Sequence, residues 1–138
     1  MITDYLYGAY GSNLSQSQMA IRCPDSVPMG NMVLKGYRLV FRGVADIEKS
    51  DGDEVMVGLW KISEKCLDAL DQYEGYPRLY TKIYRETDDG LVMLYQMLRA
   101  NGIHPPSTHY LESISDGFKD FQLDPYYLKD AVADSFIR

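Results

Sequence analysis

Apolar positions along the chain switch between the two-residue period of strands and the 3.6-residue period of helices, with glycine, proline and acidic clusters between segments. A tyrosine-rich stretch, residues 4–10, predicts a first strand, and residues 15–22 predict a short helix. Cys23-Pro24 ends that helix, because the residue before a proline avoids helical geometry. Residues 32–44 are rich in β-branched and aromatic side chains and predict one or two strands, with Gly36 and Gly43 as bulge positions. Lys49-Ser50-Asp51-Gly52-Asp53 reads as a turn. Residues 55–62 are mostly apolar on both faces, which predicts a strand in the middle of a sheet.

Ser63 is placed to cap a helix running to about Tyr73, along which Cys66, Leu67, Leu70 and Tyr73 recur at helical spacing. Gly75 and Pro77 end it. Two further strands, residues 79–86 and 91–98, flank Asp88-Asp89-Gly90, a strong hairpin signal. The tail predicts a loop at 101–106, a helix at 107–118 and a last helix beyond Asp124-Pro125. Mostly adjacent strands with few helices do not suit a doubly wound sheet. They suit an α+β domain with a mixed, mainly antiparallel sheet curled into a small barrel.

The chain has 138 residues, enough for one domain with a proper core, and no repeat or linker divides it, so residues 1–138 read as one unit. With 46% hydrophobic and 25% charged residues it is ordinary for a folded protein. A net charge of -6 with singly scattered lysines and arginines argues against a nucleic-acid partner. No apolar run approaches the ~20 residues of a membrane span, and the first residues lack the features of a signal peptide. The two cysteines, Cys23 and Cys66, have no metal-ligand spacing, and nothing in the sequence places them together. A reducing, cytoplasmic location is the simplest expectation. Cys66, among the apolar positions of its helix, reads as core.

Two places carry candidate chemistry. At Tyr10-Gly11-Ser12-Asn13-Leu14 a strand meets a helix through a turn that glycine, serine and asparagine favour. Such a turn either presents free backbone N–H groups to an anion or is an ordinary capped turn. Glu74 falls in the last turn of a predicted helix, where the helix dipole disfavours an anion. Asp71 one turn earlier would add like-charge repulsion, and Tyr73 and Tyr76 would reduce solvation. All three effects raise a carboxyl pKa toward the range of a general acid/base, although an exposed glutamate at a helix end is also common.

Other constellations fail. Residues 46–51 miss the calcium-loop pattern, and His104 and His109 have no ligand partners nearby. There is no phosphate-binding glycine loop and no Gly-x-Ser-x-Gly turn, and Ser12 has no histidine base. Twelve tyrosines supply core bulk and neutral hydrogen-bonding groups for a pocket.

Three blocks resemble the γ-glutamylcyclotransferase-like family, including its γ-glutamylamine cyclotransferase and AIG2-like members. They are YGAYGSNLS at 7–15, GLWKISEKCLDALDQYEGYPRLY at 58–80 and, more weakly, PPSTHYLESISDG at 105–117. Their order and spacing span almost the whole chain. The resemblance implies a small mixed, mainly antiparallel β-barrel with flanking helices. It implies that Tyr10, Gly11, Ser12, Asn13 and Leu14 bind the γ-glutamyl part of a small-molecule substrate, and that Glu74 is the general acid/base. Tyr80 and Tyr110 stand where the family places pocket tyrosines. Neither cofactor nor metal is implied. Gly8 departs from the family, which commonly has a bulky residue there. The implied reaction is attack of the substrate's α-amino nitrogen on its own γ-carbonyl, giving 5-oxoproline and a free amine. The alternative is a module that binds a small metabolite in the same pocket without turning it over. A purely structural protein would leave Glu74 and the glycine turn unexplained.

Overall fold

Two long strands dominate the computed structural model, which describes residues 1–99 and 102–138. The start of the expected 101–106 loop, Asn101, lies outside the described residues. Strand β1 (Leu6–Ala9) leads through a single 3-10 turn (Ser12–Leu14) into α1 (Gln16–Arg22). Strands β2 (Val27–Phe41) and β3 (Ala45–Lys61) form an extended hairpin, followed by α2 (Glu64–Glu74). A second hairpin, β4 (Tyr80–Thr87) and β5 (Gly90–Met97), precedes α3 (Thr108–Asp120) and α4 (Pro125–Ile137).

The five strands form one sheet in the order β2-β3-β1-β5-β4. All neighbours are antiparallel except β1 and β5, where Leu6 pairs with Val92 and Tyr7 with Met93 in parallel register. The 3-10 turn and α1 therefore leave the sheet from its central strand. Gly8 suits that central place. A Cβ there would stand 2.9 Å from Val92 Cγ1 and 3.0 Å from Val57 Cγ1, so the neighbouring strands' valines occupy the space a larger residue would need.

The expected turn at 49–53 lies inside β3 instead. Pairing jumps from Lys35↔Glu54 to Tyr37↔Lys49, which leaves residues 50–53 opposite Gly36 alone. Gly36, at φ 83°, provides the left-handed backbone of this irregularity. The acidic, glycine-containing composition was a true signal for a kink, but the apolar pattern on either side continues one strand.

The expected α+β architecture with a mixed, mainly antiparallel sheet and flanking helices is what the structure shows, and only the word barrel is loose for it. The first half of β3 bends over the far side of the sheet, where Asp46 Oδ1 accepts from Met97 N at 3.0 Å and Ile47 O accepts from Gln96 Nε2 at 3.1 Å. Arg85 on β4 also donates to the Tyr37 hydroxyl on β2. These are side-chain bridges. No backbone ladder joins β2 to β4 among the described residues, so the sheet is curled but open.

A second correction concerns the cysteines. Cys23 caps the C-terminus of α1, and Cys66 lies in the first turn of α2. The fold brings their Cα atoms to 5.0 Å, and they form a disulfide. The sequence separation of 43 concealed this proximity, and the argument from unpaired cysteines to a reducing compartment loses its premise. Cys66 is buried, as its helical spacing predicts. Among the described residues no helix is long and apolar enough to cross a membrane.

Candidate active site

The turn after β1 is held from three sides. Trp60, on β3 beside β1, donates Nε1–H to the Asn13 carbonyl at 2.9 Å. Leu14 is fully buried, and the absence of side chains at Gly58 and Gly117 makes room for it. Within the turn Leu14 N donates to Gly11 O and Ser15 N to Ser12 O, both at 3.0 Å. The N–H groups of Gly11, Ser12 and Asn13 are left without an acceptor among the described residues, as befits the first turn of a helix. All three residues border a cavity of about 220 Å³. This is below the roughly 300–1,000 Å³ of drug-sized sites and suits a small molecule.

Glu74 enters the same cavity from α2. Ser63 starts this helix by accepting from Cys66 N at 3.0 Å, and Gly75 ends it in the left-handed conformation at φ 68°. Both boundaries match the sequence signals, and together they fix Glu74 as the helix's last residue. Asn13 Nδ2 donates to Glu74 Oε1 at 3.3 Å and to the Tyr7 hydroxyl at 2.9 Å. Burial pushes the Glu74 carboxyl up to about 7, with the Arg22 guanidinium opposing the shift. The expected contribution from Asp71 is absent from these causes. Asp71 instead pairs with Lys82 Nζ at 3.0 Å and accepts from the Tyr95 hydroxyl at 2.6 Å. Tyr76, 38% exposed, stacks under Lys82 and is not among the cavity walls.

Tyrosines make most of the remaining wall. The Tyr10 hydroxyl donates to Tyr95 O at 2.6 Å. Tyr80 and Tyr110 grip one backbone unit: Tyr80 OH donates to Ala45 O at 2.8 Å, and Ala45 N donates to Tyr110 OH at 3.0 Å. Burial raises all of these phenols, Tyr110 to about 12, so they are neutral at physiological pH. Ser12 Oγ and Tyr73 OH are hydrogen-bonded at 3.0 Å. Val44 and Leu79 stand exposed at the mouth.

Thus Tyr10, Gly11, Ser12, Asn13, Glu74, Tyr80 and Tyr110 all meet at one cavity, although they come from four separate parts of the chain. Leu14 does not line it; its side chain anchors the turn from the core. Sequence reasoning missed Tyr7, Tyr95 and the Val44–Ala45 wall, which carry no local signature. It also missed Arg22, which read only as a helix end. The turn with its three unpaired N–H groups and a carboxyl able to exchange a proton near neutrality thus border the same cavity.

A family model described as "Gamma-glutamyl cyclotransferase, AIG2-like" matches residues 7–112. The γ-glutamylcyclotransferase of Bos taurus is 32% identical over 143 aligned positions, covering 91% of this chain and 76% of the relative. That of Homo sapiens is 28% identical, covering 84% of this chain and 71% of its own length. A solved structure of a γ-glutamyl cyclotransferase matches with a TM-score of 0.79 at 28% identity, covering 94% of this chain and 86% of the other.

Proposed function

The chain belongs to the γ-glutamyl cyclotransferase, AIG2-like family, and from that premise we propose that it converts a γ-glutamyl amine or γ-glutamyl amino acid to 5-oxoproline and a free amine, with Glu74 as general acid/base. The observation that carries this reading is the Glu74 carboxyl, raised to about 7 by burial and bordering the same cavity as Gly11, Ser12 and Asn13, whose backbone N–H groups have no acceptor among the described residues. A carboxyl of that pKa is half-ionised at neutral pH, so it can take a proton and return it in one cycle.

In this reading the substrate's α-ammonium loses a proton to the Glu74 carboxylate. The freed amine attacks the γ-carbonyl carbon, and a five-membered ring closes. The C–N bond to the leaving amine breaks as protonated Glu74 returns the proton to that nitrogen, and the ring nitrogen gives its second proton to the regenerated Glu74 carboxylate, from which it passes to the free amine as it leaves as an ammonium ion. The nucleophile belongs to the substrate, so the protein's task is to hold an extended chain folded with its ends in contact, where proximity supplies much of the rate. The backbone N–H groups of the turn hold either the α-carboxylate or the developing oxyanion. The neutral tyrosines close the site without adding a charge that would compete with Glu74. Val44 and Leu79 at the mouth face the leaving amine.

The test is incubation of the protein with a panel of γ-glutamyl amines, γ-glutamyl amino acids and their peptides, with 5-oxoproline and free amine measured by mass spectrometry. Equimolar release of both products, lost in Glu74→Gln, supports the reading. Tight binding with the ligand recovered unchanged overturns it in favour of a binding module.

A further inference from the structure

Arg22 lies behind the cavity and not in its wall. Its guanidinium carbon sits 3.5 Å from the centroid of the Tyr73 ring, close enough for a cation–π contact. From there Nη1 donates to Asn13 Oδ1, and Nη2 reaches Gln18 Oε1 at 3.4 Å. The consequence lies in the asymmetry of the asparagine side chain. A primary amide has one accepting oxygen and one donating nitrogen, and a guanidinium only donates. Arg22 therefore binds the oxygen and obliges the nitrogen to face the other way, where Tyr7 OH and Glu74 Oε1 accept from it. Were the amide to flip, its oxygen would stand against the Glu74 carboxylate, lone pair to lone pair.

We propose that Arg22 is a positioning residue for the reaction, fixing the Asn13 amide so that its N–H group meets Glu74 and holds the carboxylate ready to accept a proton. Its catalytic importance rests on the role given to Glu74 above; its effect on Asn13 and on Glu74 does not. Arg22 is also the cation that opposes the effect of burial on Glu74. Tyr73, next to Glu74 on α2, borders the same cavity and carries the guanidinium on its ring. The remaining titratable groups around the carboxyl are Tyr7 and Tyr10 from the β1 segment, Tyr80 from β4, Tyr95 from β5 and Tyr110 from α3. All are phenols held neutral by burial, and their own raised values register the Glu74 charge. Asp71 is engaged by Lys82 and Tyr95. Removing Arg22 therefore leaves the burial of Glu74 without its opposing cation.

The experiment uses two readouts on Arg22→Gln, Arg22→Met and Arg22→Lys. The first is the titration of Glu74 by carbon NMR in protein labelled at the glutamate carboxyls, with the resonance assigned through Glu74→Gln. This needs no substrate and stands whether or not a γ-glutamyl compound is turned over. Arg22→Gln and Arg22→Met are expected to move the Glu74 midpoint upward, and Arg22→Lys to restore most of the parental value. The second is the pH profile of 5-oxoproline release. Its acidic limb is expected to move up with the midpoint, lowering kcat/KM at pH 7 on the order of tenfold while activity at high pH recovers. Arg22→Met keeps an unbranched stem against Tyr73, so it serves if the glutamine variant folds poorly. An unchanged Glu74 midpoint in both neutral variants overturns the proposal. A shifted midpoint in a protein that releases no 5-oxoproline at any pH retains Arg22's effect on Glu74 and refutes the proposed function instead.

Discussion

Asn13 Nδ2 lies 3.3 Å from Glu74 Oε1, and this contact joins a turn on the central strand to the end of a helix 61 residues later. It matters because the two residues solve opposite problems. The turn leaves donors without acceptors, and the helix end drives an acceptor into a site that resists its charge. The Asn13 side chain gives Glu74 one donor, while the backbone N–H groups of the turn keep no acceptor, and that imbalance is available to a ligand.

The imbalance has a cost that a single substitution exposes. Burial raises the Glu74 carboxyl from 4.5 to about 7. Between those values the folded chain keeps a proton that the unfolded chain has lost, so the contribution of this group to stability falls as pH rises through that window. Glu74→Gln removes the penalty. At pH 8 it should stabilise the fold by on the order of 1–2 kcal/mol, allowing for partial exposure, and at pH 4 it should change little. Thermal melts of parent and variant at the two pH values check this. The same variant should lose about 10²–10⁴-fold in turnover.

Activity should also follow Glu74. The proposed first step needs the carboxylate, so kcat/KM should rise with pH through a midpoint near 7, with the slope of a single proton. An acidic limb near 4.5 instead would show that Glu74 is solvated in the working enzyme, or that another group is the base. Measuring kcat/KM from pH 5 to 9 on one γ-glutamyl substrate decides it.

Tyr80 and Tyr110 should prove unequal despite gripping the same residue. Tyr110→Phe strands the Ala45 N–H group, whereas Tyr80→Phe removes one partner from a carbonyl that has two lone pairs. With Ala45 buried, the first should cost about 1–3 kcal/mol and the second about 1 kcal/mol. Urea unfolding of the two variants gives the comparison. Equal losses would mean that the phenol hydroxyls contribute through the cavity rather than through Ala45.

What the sequence made legible here was local. Ser63, Gly75, Ser107 and Asp124 mark helix ends, and each helix begins or stops where those residues place it, because capping is decided within one turn. The turn after β1 was legible because its backbone conformation is a local property; Glu74 was singled out on local grounds, whereas its raised pKa comes from burial that the tertiary fold supplies. The Ala45 grip, the Asp71–Lys82 pair and the Cys23–Cys66 bond were not, since each joins elements that only the curl of the sheet brings together. The long β3 was misdivided for a related reason. A kink and a chain reversal use the same residues, and only pairing with Gly36 distinguishes them.

The disulfide ties α1, which ends at Arg22, to α2, which ends at Glu74. Closing a loop of 43 residues removes disorder from the unfolded chain worth about 3–5 kcal/mol in the chain-entropy account. The double variant Cys23→Ser, Cys66→Ser should fall in denaturant midpoint by a corresponding amount. The oxidised parent treated with dithiothreitol should fall likewise. If reduction leaves the midpoint unchanged, the two sulfurs are not bonded in solution.

Gly117 supplies the sharpest test of how the turn is held. Inside the last turn of α3 a glycine is unfavourable, and alanine would ordinarily gain up to about 1 kcal/mol. A Cβ on Gly117, however, would stand 2.3 Å from Leu14 Cβ, 2.6 Å from Leu14 C and 2.8 Å from Ser15 N. Two of those atoms are backbone, so no rotamer change relieves the clash, and either α3 or the turn must move. Overpacking of this kind costs about 1–3 kcal/mol, which outweighs the helical gain. Gly117→Ala should therefore be destabilised, and because the displaced turn carries Ser12 and Asn13, KM for the γ-glutamyl substrate should rise as well. Asp116→Ala, at the exposed neighbouring position, changes helix propensity without touching Leu14 and should leave both stability and KM close to the parent. If Gly117→Ala instead behaves like Asp116→Ala, α3 is free to retreat and the turn owes its shape to Trp60 and Gly58 alone.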